Sequence, residues 1–157
     1  MAATGVSSTS SLRRNKKRPT EPKKPKSILV EPTIEAELRR IGSYKLQKLY
    51  FSICDIPLEK HTPLISIGAW AFIETLTAWF GRDPSTSFTS FFSKDKLTVL
   101  GFNERDRKNA ITAALARISA YGNTTKHHDT SANFNGEQLA NDMETITELL
   151  IKQLATV

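Results

Sequence analysis

Apolar residues recur along this chain at three- and four-residue steps, the period of an amphipathic helix. Past Pro32 the stripe Leu38, Ile41, Leu46, Leu49, Tyr50 and Ile53 predicts a first helix. Thr33 is its expected cap, Glu35 and Glu37 suit its first turn, and Gly42 and Ser43 mark where it bends or breaks. The pair Ile56-Pro57 closes it, because a proline disfavours helix in the residue before it. A second helix is predicted from Thr62 as cap and Pro63 as first residue, a position where the missing N–H costs nothing. It continues through Ile65, Ala69, Phe72, Ile73 and Leu76 to a stop at Gly81, and it is apolar nearly all round. That makes it the central, most buried element. Glu74 lies within it, and a carboxylate in such surroundings requires a partner.

Beyond Gly81 the residues 85–92 predict a short helix that plugs the core with Phe88, Phe91 and Phe92, and Leu97, Val99, Leu100 and Phe102 form a further apolar patch. Asn103 is the expected cap of a third long helix carrying Ile111, Ala114, Leu115, Ile118 and Tyr121, with Gly122 as its stop. A polar loop over 123–135 then leads to a last helix over 136–154, with Leu139, Met143, Ile146, Leu149, Leu150 and Leu154 on one face. No strand alternation, βαβ spacing or internal repeat appears. The expected fold is all-α, four long helices with one or two short ones.

Charge divides the chain more sharply than hydropathy does. Residues 1–31 hold Arg13, Arg14, Lys16, Lys17, Arg18, Lys23, Lys24 and Lys26 against Glu21 and Glu31, which accounts for the whole net charge of +6. The other 126 residues are neutral, with fourteen basic and fourteen acidic side chains. The leader is also rich in Ser, Thr and Pro, without an aromatic residue, so it cannot bury enough surface to offset its ordering entropy. The reading is a disordered polybasic tail over 1–31 and one helical domain over 32–157. Such a tail is either a solvated linker or an arm for nucleic-acid phosphates, where each contact releases a counterion. A lipid-surface role is disfavoured, because the tail has no apolar face to insert.

Composition narrows the rest. No apolar run reaches the roughly 18 residues of a membrane span, and no apolar signal segment opens the chain. The single Cys54 permits no internal disulfide and lies on the apolar stripe as a small core residue, which suits a cytoplasmic location. Walker, dinucleotide and Cys-x-x-Cys patterns are missing, so no nucleotide cofactor is expected. His127 and His128 are adjacent and cannot share a helix face; with only His61 and Asp129 to add, no metal site is expected either.

The segment from Ile118 to His127, with Gly122-Asn123-Thr124-Thr125-Lys126-His127 at its end, resembles the Gly-Asn-x-x-x-His signature of the HEPN superfamily of small helical domains. It is closest to the branch in which an arginine precedes the Gly-Asn pair. The helix order also fits, with a glutamate-bearing apolar helix before the motif and an acidic amphipathic helix after it. The resemblance implies a two-fold dimer and, in catalytic members, metal-independent RNA cleavage of the kind found in prokaryotic defence and toxin systems, with a partner protein or antitoxin. Carried over, His127 would move protons at the 2′-hydroxyl and the leaving oxygen, with Asn123 beside it. An arginine would steady the phosphorane charge. Here Ser119 stands near the arginine's position, and the nearest candidates are Arg117, ten residues before His127, and Lys126 as a point charge. That departure favours a nucleic-acid-binding domain, for RNA before DNA, that no longer cleaves. The alternative is a non-catalytic helical protein-interaction or dimerisation domain with a basic linker.

Overall fold

A computed structural model describes residues 3–5 and 19–157. Among them are seven helices and no strand: α1 (Pro32–Arg40), α2 (Tyr44–Asp55), α3 (Leu58–Trp79), α4 (Phe88–Phe91), α5 (Lys94–Val99), α6 (Arg105–His127) and α7 (Gly136–Leu154). The all-α expectation holds. The long helices α3 and α6 pack on each other along their lengths, α7 lies mainly on α6, and α1–α2 close the other side against α7 and α3. Phe72, Phe88 and Phe92 are fully buried at the centre, each contributing about 1.5–3 kcal/mol of apolar burial.

The expected first helix is two. Gly42 takes φ +72, which ends α1, and Ser43 opens α2 by accepting from Leu46 N–H at 3.4 Å. The cap of α1 is Glu31 rather than Thr33: its carboxylate accepts from Thr33 N–H at 3.2 Å, and Pro32 occupies the first helical position. Arg40, at the far end, reaches across to donate to the Leu154 carbonyl at 3.0 Å and so ties α1 to the end of α7.

The second helix begins at Leu58, four residues before the expected Thr62. Its backbone kinks at His61 (φ −123, ψ 20), just ahead of Pro63. The proline has no N–H for the helical ladder, and the kink absorbs that loss. Thr62 donates its hydroxyl proton to the Leu58 carbonyl at 2.6 Å instead of capping. Glu74 has its partner: Oε1 accepts from Arg82 Nη2 at 2.6 Å, while Arg82 Nε donates to Thr77 Oγ1 at 2.9 Å and Nη1 to the Thr86 carbonyl. The Arg82 side chain is 5% exposed, so this ion pair fixes the turn between α3 and α4.

Two further expectations are corrected. Helix α6 does not stop at Gly122; it starts after Glu104 and runs to His127, which shortens the following loop to 128–135. Gly122 is buried mid-helix, where a β-carbon would fall on Trp70 Cβ, 2.9 Å from Trp70 Cγ and 3.2 Å from the Ser66 carbonyl oxygen. Its small size serves the close approach of α6 to α3. The leader, for its part, does not stay free up to residue 31. The Lys26 carbonyl accepts from Leu58 N–H at 2.9 Å, Ile28 is buried in the core, and Glu31 N–H donates to Tyr50 Oη at 2.8 Å. One buried isoleucine anchors an otherwise polar stretch.

Candidate nucleic-acid interface

With α6 continuous, Arg117, Asn123, Lys126 and His127 all stand on one helix. At 100° per residue, Asn123, Lys126 and His127 are neighbours on adjoining rows, whereas Arg117 lies about 120° from Asn123 and about 80° from His127, beyond His127 on the side away from Lys126, and roughly 15 Å along the axis from His127. The core stripe Ile111, Leu115, Ile118 and Gly122 runs between the two flanks.

Each flank is occupied differently. Arg117 turns to α7 and grips Asp142, with Nε donating to Oδ1 and Oδ2 at 3.1 Å and Nη2 to Oδ1 at 2.7 Å. Gln138 Nε2 adds a third donor to Oδ1 at 3.1 Å. Asp142 is buried, and its hydrogen bonds hold the Arg117 guanidinium pKa above the ordinary arginine value. Arg117 is therefore a clamp between α6 and α7. On the other flank Lys126 places its ammonium 4.6 Å from the Trp70 ring centroid, over the same indole that Gly122 touches. Asn123 and His127 are exposed on the outer face. The structure does not bring Arg117 together with them.

His128 has a different task. As the residue after α6 it donates N–H to the Thr124 carbonyl at 2.8 Å, and its Nδ1 accepts from Ser131 N–H at 2.9 Å and Thr130 N–H at 3.2 Å. These contacts to Nδ1 shape the loop. Among the described residues no three His, Cys, Asp or Glu side chains converge as a metal-binding group.

The loop continues as a rigid connection. Thr125 Oγ1 donates to the Tyr121 carbonyl at 2.6 Å and accepts from Asn133 N–H at 2.8 Å. Asn133 is buried, donates Nδ2 to Ser66 Oγ at 3.3 Å and accepts Asn135 N–H on Oδ1 at 2.9 Å. Asn135 then caps α7 by accepting from Gln138 N–H at 3.0 Å. Between these tied residues Phe134 stands 76% exposed.

Phe134 borders a cleft of about 1060 Å³, together with Tyr121, Lys60 of α3 and Lys24 and Lys26 of the basic segment. A smaller cleft of about 550 Å³ runs between the basic segment and α7, where Lys23 shares the wall with Glu144 and Glu148. His127 lines neither. Arg13, Arg14, Lys16, Lys17 and Arg18 lie outside the described residues. Tyr121, expected on the apolar stripe of α6, is 44% exposed at this cleft instead. Phe134 was not singled out from sequence; the available signal is a phenylalanine in a run of Ser, Ala, Asn and Gly, with no apolar stripe to join. No helix among the described residues is long and apolar enough to cross a membrane.

Compared with known protein families, curated proteins and solved structures, the chain matches none.

Proposed function

We propose that this protein is a nucleic-acid-binding helical module, HEPN-like in its Gly-Asn-x-x-x-His helix, that holds RNA without cleaving it. The observation that carries this reading is the large cleft. It joins Lys24 and Lys26, the anchored end of the segment that holds the whole net charge, to Tyr121 near the end of α6. A neutral domain with a cationic leader entering at one cleft concentrates polyanions there. Asn123, Lys126 and His127 border the same end of α6 and extend the polar surface outward.

Absence of cleavage follows from the two flanks of α6. In the cleaving arrangement that the resemblance implies, an arginine and the histidine act on one phosphate. Arg117 instead spends its fork on Asp142, about 80° round the helix and roughly 15 Å along it from His127. In this reading the copies pair two-fold, as the superfamily resemblance implies, and the buried Cys54 fits a cytoplasmic location.

Titrating labelled RNA into the protein over a range of salt tests the reading. Binding should weaken steeply with salt, and removal of residues 1–25 should weaken it and flatten the slope. The RNA should be recovered intact. Cleavage that persists in EDTA and disappears in His127→Ala would restore the catalytic assignment, and salt-independent or undetectable binding would favour a protein-interaction domain.

A further inference from the structure

We infer that the cleft takes its nucleic acid as a single strand, with bases stacking on Phe134 and Tyr121 and phosphates running past Lys24, Lys26 and Lys60. This rests on the nucleic-acid reading above and adds the strandedness of the ligand and the side chains that select it.

Three observations lead there. Phe134 exposes most of its ring to water at a place where its neighbours are fixed, so the exposure is not that of a loose loop tip. Tyr121, 44% exposed, borders the same cleft. The hydrogen-bond chain from the Tyr121 carbonyl through Thr125 to Asn133 N–H sets the two aromatic residues in a constant relationship. A platform held in place before binding loses little entropy on engaging a ligand.

Charge and shape complete the match. The cleft is bordered by Lys24, Lys26 and Lys60 against Glu59 and Glu137, leaving it cationic, and the leader upstream of Lys24 adds six further basic residues. Apolar ligands would leave those ammonium groups without counter-charges. A duplex keeps its base faces stacked on each other and offers Phe134 and Tyr121 only phosphate and groove edges. An unpaired strand presents both π-faces and phosphates, which is the combination that aromatic residues interleaved with lysines bind. Base stacking and phosphate contact are common to RNA and DNA strands.

Fluorescence anisotropy with the full chain decides the matter, using a twelve-nucleotide RNA, the DNA of the same sequence and the corresponding RNA duplex. Both single strands should bind more tightly than the duplex, and the tighter of the two identifies the natural source. Phe134→Ala and Phe134→Leu should each weaken single-strand binding about tenfold and leave duplex binding unchanged. Phe134→Trp should retain affinity, with its added emission quenched on binding. Phe134 is exposed, so unchanged thermal midpoints will show that the variants are folded. Full affinity in Phe134→Leu, or a duplex bound as tightly as a strand, overturns stacking while nucleic-acid binding stands. If the unaltered chain binds none of the three probes, the functional reading itself fails.

Discussion

Gly122 of α6 lies so close to Trp70 of α3 that the missing β-carbon is what lets the two helices meet. A glycine inside an exposed helix costs about 1 kcal/mol relative to alanine, so Gly122→Ala would stabilise the protein were Gly122 a solvent-facing position. Here the added methyl group overlaps indole atoms that also carry Lys126. Overpacking of this kind costs about 1–3 kcal/mol. The variant should melt several degrees lower by calorimetry; a higher melting point would show that α6 stands off from α3.

Arg117 is predicted to matter for stability and not for ligand. Removing it leaves the Asp142 carboxylate buried with Gln138 as its remaining side-chain donor. Arg117→Ala should therefore cost about 1–3 kcal/mol in urea unfolding, reduced from the fully buried case because the arginine side chain is 38% exposed. Arg117→Lys should recover little, since an ammonium cannot supply the paired donors. RNA affinity should be unchanged in both. A large loss of affinity with stability intact would place Arg117 at the ligand.

Glu74 and Arg82 form the other interior ion pair. Glu74→Gln keeps the shape and removes the charge, leaving a nearly buried guanidinium with the Thr77 hydroxyl and the Asp83 and Thr86 backbone carbonyls as neutral acceptors. A loss of about 1–2 kcal/mol in urea is expected. Glu74→Gln as stable as the parent would mean that the neutral acceptors suffice.

Cys54 gives a pH signature. Burial pushes its thiol up from 9.0 to about 11. Above pH 9 the unfolded chain releases this proton while the folded chain keeps it, so stability declines as pH rises from 9 towards 11. Burial also raises Tyr50, which adds to the decline in the same direction. Urea midpoints across this range should fall, and less so in Cys54→Val. Alkylation at pH 8 should be slow until denaturant is added; rapid labelling of the native protein would contradict the buried thiol.

The helices were legible because their period, caps and prolines are local signals. Gly81, at φ +88, ends α3 as its position after an apolar run suggests. Gly122 follows an apolar run in the same way, and only its spatial neighbour Trp70 separates a packing glycine from a terminating one. The need of Glu74 for a partner was readable from burial, whereas its identity was not, because Arg82 reaches it around a turn. Ile28 escaped notice as a core residue because one isoleucine among lysines and prolines makes no pattern. The candidate site shared this limit. Asn123, Lys126 and His127 do adjoin on α6, but the cleft beside them is built from Lys24, Lys60, Tyr121 and Phe134, which lie up to 110 residues apart in the chain and carry no common motif.

Ultraviolet cross-linking of the full chain to a single-stranded RNA, followed by peptide mass spectrometry, tests the central claim most directly. Adducts should fall on Tyr121 and Phe134 and on peptides holding Lys24 and Lys26, and competing strand should suppress them. Adducts confined to the outer face of α1–α2, or none above the level of a denatured control, would contradict it.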